Sequence, residues 1–173
     1  AVGRRSRPLE VEATVGPGHI FAVSAWFGVL TGLVESAILG IWHGIDSSKV
    51  LGALQLNRHF TWMVPAAHLS VFLGGAPFLA LVMTSVRRRS QRVVYWFLTS
   101  AAVFSLLFMI PGLHPVGSAI LAMGIARPIS GELERRMRGF HRLLRWSLPV
   151  MLGGVVIIAG ATYFQVVQAE HRA

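Results

Sequence analysis

The longest stretches of this chain are apolar, and its charged residues are confined to short segments between them. From Ile20 to Ile41 only one of 22 residues, Glu35, is charged. A helix rises about 1.5 Å per residue, so this run is roughly 30 Å long, the thickness of a bilayer's hydrocarbon core. Only 13% of the residues are charged and 54% are hydrophobic, whereas soluble domains have about 25% charged residues. The pattern predicts an all-α integral membrane protein.

The apolar runs divide the chain into a basic N-terminal arm, a bundle of transmembrane helices and a short polar tail. We expect the arm at residues 1–18, the bundle at 19–168 and the tail at 169–173. The predicted spans cover residues 19–42, 61–86, 93–110, 113–129 and 146–167. Residues 1–17 contain no apolar run of signal-peptide length, so the first span is expected to be a retained signal anchor.

The distribution of Lys and Arg decides between four and five spans. If residues 113–129 did not cross, the six Arg between 127 and 145 would lie outside; if they cross, 13 of the 16 Lys and Arg residues lie on one side. Cytoplasmic loops are enriched in Lys and Arg. We therefore predict a bundle of five transmembrane helices in a bacterial cytoplasmic (inner) membrane, with the N-terminus cytoplasmic and the C-terminus periplasmic. Four spans plus a re-entrant segment is the alternative.

The net charge of +9 is explained by these cytoplasmic clusters, which favour anionic lipids, and no nucleic-acid partner is expected. Six arginines are predicted to contact lipid headgroups: Arg87, Arg88, Arg89, Arg135, Arg136 and Arg138. Residues 132–145 have helical amphipathic spacing. They are expected to form either a basic helix on the inner membrane surface or an extension of the last span.

Glu35 is the only acidic residue within the predicted spans, and a carboxylate in lipid is costly without a partner. Counted from the outer ends of spans one and two, Glu35 and His68 lie at the same depth, so we predict that they interact. His114, beside the outer turn that Pro111-Gly112 predicts between spans three and four, is another candidate partner. An interhelical hydrogen bond that fixes packing is the favoured role, and a proton or ligand site is the alternative.

Small residues recur at helical spacing and predict close helix contacts. Gly28 and Gly32 form a GxxxG pattern in span one, and Gly153 with Gly154 lies in span five. Gly74 and Gly75, with Pro77, are expected to kink span two beside a neighbouring helix. The connector at residues 43–61 is expected to hold a short interfacial helix.

No catalytic or metal-ligating pattern is present in the sequence, so we expect no enzyme activity, no catalytic residue and no metal site. Cys is absent, which excludes thiolate sites and a Cys nucleophile. Six of the seven His lie at span ends or in loops, so the facing His pairs of a di-haem bundle are missing. No cofactor is predicted; a haem or pigment contact at His68 is the alternative.

Four segments of the chain resemble the N-terminal multi-spanning membrane region of bacterial sulfatase-like proteins of the alkaline-phosphatase superfamily. They are WFGVLTGLVE at 26–35, WMVP at 62–65, LSVFL at 69–73 and PGLHP at 111–115, and the resemblance covers residues 20–165. It implies membrane spans that anchor a hydrolase domain outside the membrane. The family's nucleophile motif, Cys or Ser-x-Pro-x-Arg, is missing, because Met151 follows Ser147 and Pro149 where the Arg would stand. Sulfatase activity is therefore not expected.

Three functions follow from these features. The first is a non-catalytic scaffold or accessory subunit that packs with other transmembrane subunits of a larger complex, such as a photosynthetic reaction centre and antenna assembly. The second is the membrane anchor of a sulfatase-like hydrolase whose catalytic domain is missing. The third is a small transporter or a haem- or pigment-binding protein centred on Glu35 and His68.

Overall fold

The computed structural model describes residues 17–45, 60–85 and 91–170. Within these ranges the chain forms five helices and no strand. The helices are α1 Pro17–Ile45, α2 Phe60–Ser85, α3 Gln91–Phe108, α4 Pro115–Arg135 and α5 Met137–Glu170. The predicted all-α class is thereby confirmed. Most of the connector predicted to hold an interfacial helix lies outside the described residues.

Three of the described helices are long and apolar enough to cross a membrane. The qualifying segments are Gly18–Trp42 in α1, Thr61–Met83 in α2 and Gly139–Phe164 in α5. The apolar part of α3, Arg92–Phe108, is shorter. The length and apolar composition of these three helices are typical of membrane spans, in agreement with the apolar runs of the sequence.

Prolines lie within the helices without ending them. α2 continues through Pro65 and Pro77, and α4 continues through Pro128. A proline removes one intrahelical hydrogen bond, but neighbouring helices and the apolar surroundings maintain the remaining ladder. The kink predicted near Gly74 does not interrupt α2.

The turn between α3 and α4 lies at Pro111-Gly112, as predicted. Gly112 has a φ of +88°, which residues with a side chain rarely adopt. His114 then caps α4, because its Nδ1 atom accepts a 3.3 Å hydrogen bond from the backbone N of Val116. Pro115 is the first residue of α4, and the first position of a helix is where proline is best tolerated. It continues to Arg135, six residues beyond the predicted end of span four.

The polar segment 132–145 is divided between two helices. Its first four residues end α4, Arg136 caps that end with a backbone bond to Glu132, and α5 begins at Met137. Residues 137–145 are therefore an extension of the last helix, one of the two predicted alternatives. Phe140 and Leu144, 7% and 8% exposed, bury this extension against the bundle.

An aromatic cluster holds the start of α5 to α1 and α3. The ring of Phe140 makes edge contacts with Trp26 at 5.3 Å and with Tyr95 at 5.6 Å between centroids. His19 lies 4.5 Å from His141, again between ring centroids. The indole N–H of Trp26 donates a 2.8 Å hydrogen bond to Ser147 Oγ. Contacts of this kind fix the inner half of α5, residues 137–149, in one position.

Candidate functional site

Glu35 of α1 and His68 of α2 are in direct contact. His68 Nε2 lies 2.9 Å from Glu35 Oε2. The side chains of His68 and Glu35 are only 17% and 19% exposed, respectively. The equal depth counted on the two predicted spans anticipated this pairing. A carboxylate with one close partner and little solvent is the arrangement expected for an acidic residue inside a membrane bundle.

Ser105 of α3 completes a three-helix polar cluster with this pair. Its Oγ atom lies 2.8 Å from His68 Nε2 and donates a longer, 3.5 Å hydrogen bond to Glu35 Oε2. The sequence analysis missed Ser105. It lies five residues before Ile110, the predicted outer end of span three, so the same depth argument could have found it. We refer to Glu35, His68 and Ser105 as the polar cluster.

The glycines of α1 allow the polar cluster to form. A Cβ atom at Gly28 would lie 2.9 Å from Leu69 Cα and 3.0 Å from the carbonyl oxygen of His68. A Cβ at Gly32 would overlap the backbone of Pro65. These positions have to be glycine because the two backbones approach more closely than any side chain would permit. The close approach brings the short carboxylate side chain of Glu35 within reach of the imidazole.

The hydrogen-bond partners of His68 indicate which of its ring nitrogens carry a proton. Its Nδ1 atom is 3.0 Å from the carbonyl oxygen of Val64, which can only accept, so Nδ1 carries a proton. Nε2 then faces Glu35 Oε2 at 2.9 Å. A lone pair on Nε2 facing an ionised carboxylate would be repulsive, so a proton lies between them. The pair holds it either as imidazolium with carboxylate or as neutral imidazole with carboxylic acid.

This geometry differs from that of a nucleophile triad. In a Ser–His–acid triad the acid binds one ring nitrogen and the serine the other. Here Ser105 and Glu35 share Nε2, and the backbone of Val64 occupies Nδ1. The arrangement supports holding and exchanging a proton rather than activating Ser105 for attack.

Both ring nitrogens of His68 are engaged, which bears on the predicted haem or pigment contact. A metal centre could bind Nε2 only if that atom left both Glu35 and Ser105. Among residues 17–45, 60–85 and 91–170, no group of three or more His, Cys, Asp or Glu side chains is placed to hold a metal ion. His114, the other candidate partner of Glu35, instead caps α4.

The remaining predicted site residues differ in how they are placed. Cβ atoms at Gly74, Gly75, Gly153 and Gly154 would meet nothing within 4 Å, so no described helix packs closely against the open side of these glycines. Arg135 and Arg136 are exposed, and Arg136 pairs with Glu132 one turn before it on the same chain segment. The positions of Arg87, Arg88, Arg89 and the Arg138 side chain lie outside what the structure describes.

Comparison with known proteins returns no match. No protein-family model, no curated protein and no solved structure is similar to the chain. The site therefore has to be interpreted from its own geometry, and the resemblance to the sulfatase-like membrane region stays a prediction.

Proposed function

We propose that this protein is a non-catalytic membrane subunit that packs against other transmembrane helices through the outer half of α5, residues 150–164. The observation that supports this most is the exposure of that segment. None of the residues in the most apolar stretch of α5 is buried. In the corresponding stretch of α1, 44% of the residues are buried. A helix that crosses a membrane while contributing so little to its own bundle leaves a full face for lipid or for a partner.

One side of this segment has the regular spacing of a helix-packing face. Val150, Gly153, Ile157, Gly160 and Phe164 repeat every three to four residues and therefore lie along one stripe. Val150 and Ile157 are both 72% exposed, and Phe164 is 62% exposed. Glycines between large apolar residues create a groove into which a second helix can fit closely.

Cysteine cross-linking in native membranes tests this proposal directly, because the chain has no Cys of its own. Ile157→Cys places a thiol on the stripe. Val71→Cys on α2 is the matched control, because Val71 is also 72% exposed. We expect a cross-linked partner from Ile157→Cys and little or none from Val71→Cys.

Equal behaviour of the two variants would mean that both positions face lipid, and the subunit proposal would fail. Mass spectrometry of the cross-linked species identifies the partner class. Co-purified pigment-binding subunits would indicate a photosynthetic assembly, whereas a hydrolase domain continuous with this chain would indicate the sulfatase-type anchor.

The proposed topology has five spans, with the N-terminus and the α4–α5 junction on the cytoplasmic side of a bacterial inner membrane. Its support is the bias of Lys and Arg to that side. Leu113→Cys in the outer turn and Arg136→Cys at the junction report on opposite sides. A membrane-impermeant maleimide applied to intact spheroplasts should label Leu113→Cys alone. Labelling of both positions from one side would mean that α4 does not cross.

A second candidate function, reversible proton binding within the bundle, is favoured by the polar cluster. Glu35 and His68 place a carboxyl group and an imidazole 2.9 Å apart, and ionisable pairs within a membrane bundle can serve a transporter. Infrared difference spectra of the protein in nanodiscs, recorded across a pH titration, should show a carboxyl band that Glu35→Gln abolishes. Proton flux into proteoliposomes, lost in the same variant, would extend this to transport; the absence of any Glu35-dependent band would exclude the role.

A further inference from the structure

A groove of about 530 Å³ lies between α3 and α4 near the ends of these helices that are remote from their turn. Its walls combine two arginines, Arg92 and Arg127, with the apolar surfaces of Val93, Trp96 and Met123. Both arginines are exposed. The six predicted headgroup contacts included neither of them.

The register of the two helices places the arginines opposite each other. Trp96 Nε1 donates a 3.3 Å hydrogen bond to the carbonyl oxygen of Met123, which pairs these positions across the hairpin. α3 and α4 are antiparallel, so one turn toward their free ends leads from Trp96 to Arg92 and from Met123 to Arg127. Arg92 Nη2 also reaches α4, lying 3.7 Å from where a Cβ of Gly131 would stand.

Neither arginine is neutralised within the described part of the chain. No carboxylate among these residues forms an ion pair with Arg92 or Arg127, and the Ser130 hydroxyl in the groove donates back to the carbonyl oxygen of Arg127. Both guanidinium groups line the same groove, and an anion bound there would offset the two positive charges. Guanidinium groups bind phosphate through paired, charge-assisted hydrogen bonds.

We propose that this groove binds the phosphate of an anionic phospholipid between Arg92 and Arg127. The glycerol backbone and the start of an acyl chain pack against Val93, Trp96 and Met123, with the indole at the level where tryptophans gather in membranes. The apolar wall selects a lipid over a soluble phosphate. In the proposed topology this end is cytoplasmic, the side on which anionic lipids attract basic segments.

Native mass spectrometry of the full chain from detergent tests the site. The protein is offered phosphatidylglycerol, phosphatidylcholine with the same acyl chains, or inorganic phosphate. We expect one phosphatidylglycerol to be retained at least about tenfold better than phosphatidylcholine, as one or two charge-assisted contacts imply. Excess inorganic phosphate should not displace it.

The double variant Arg92→Gln/Arg127→Gln should lose that preference. The control Arg135→Gln/Arg145→Gln removes the same net charge from exposed positions near the same end of the bundle and should retain it. Arg92→Lys/Arg127→Lys, which restores charge without the planar fork, should recover it in part. A melting temperature measured for each variant verifies that it is folded.

Three results would overturn the proposal. Equal retention of the two lipids would mean that the groove does not recognise the headgroup. An equal loss in the control variant would reduce the effect to general charge. Displacement by inorganic phosphate would identify a free-phosphate site instead of a lipid site.

Discussion

The contact between α1 and α2 and the outer half of α5 are both built around pairs of glycines, yet the fold uses them in opposite ways. At Gly28 and Gly32 the neighbouring backbone is so near that a Cβ would collide with it, whereas Cβ atoms at Gly153 and Gly160 would enter open space. The first pair lets α1 and α2 pack against each other within the protein. The second leaves a smooth face on the outside.

The difference lies in what surrounds each pair. α1 meets a buried proline, Pro65, and ends its glycine pattern at a carboxylate that bonds to α2. The outer half of α5 has no charged residue, and its large side chains reach exposures of about 70%. A pattern of small residues therefore indicates that another helix can approach closely. Which helix does so depends on polar or shape-matched side chains, such as those that join α1 to α2.

The largest expected effect on stability comes from adding a single methyl group at Gly32, compared with the same addition at Gly153. Gly32→Ala places a Cβ against the backbone of Pro65 and should lower the free energy of unfolding by about 3 kcal/mol, because backbone has to move. Gly153→Ala, in open space, should leave it unchanged or raise it by up to about 1 kcal/mol. Unfolding of each variant in mixed detergent micelles measures both. Equal losses of unfolding free energy in the two variants would contradict the difference in packing between the glycines of α1 and those of α5.

A matched phenylalanine pair sharpens the comparison along α5 itself. Phe140 is 7% exposed and Phe164 is 62% exposed. Phe140→Ala leaves a cavity between Trp26 and Tyr95 and should cost about 3 kcal/mol. Phe164→Ala in the isolated subunit should cost less than about 0.5 kcal/mol. The same unfolding assay applies, and a large loss at Phe164 would mean that the outer half packs within the chain.

The polar cluster is expected to contribute a coupling energy of about 1 to 2 kcal/mol between Glu35 and His68. Its partial exposure keeps this below the value for a fully buried pair. Glu35→Ala, His68→Ala and the double variant form the cycle, and Ser70→Ala, which removes an exposed hydroxyl on α2, is the control. Additive effects of the two substitutions would show that the contact adds nothing to the α1–α2 pair.

The smallest expected effect concerns the bond between α1 and the inner half of α5. Ser147→Ala removes the acceptor of the Trp26 indole N–H and should cost about 1 kcal/mol, the usual contribution of a hydrogen bond. Thr162→Ala is a suitable control, because Thr162 bonds only to the backbone one turn before it, in the outer half. If Thr162→Ala cost as much as Ser147→Ala, the inner half would not be the better anchored part of α5.

The sequence alone determined the helical membrane class and much of the outline of the helices. Long apolar runs can satisfy their backbone groups in lipid only as helices, so composition and length are sufficient. Pro111 and Gly112 marked the α3–α4 turn because few other residues adopt the required backbone angles. The depth of Glu35 and His68 could be counted along their spans because the helical rise is constant.

Only the tertiary structure decided which helices meet and which faces stay open. It joined residues 137–145 to α5, because Phe140 fits between Trp26 and Tyr95, a contact between residues far apart in the chain. It added Ser105 to the Glu35–His68 pair and set Arg92 opposite Arg127 through the register of two antiparallel helices. Such juxtapositions depend on rotation and register, which hydropathy does not encode because the lipid-facing and helix-facing sides of a membrane helix can be equally apolar.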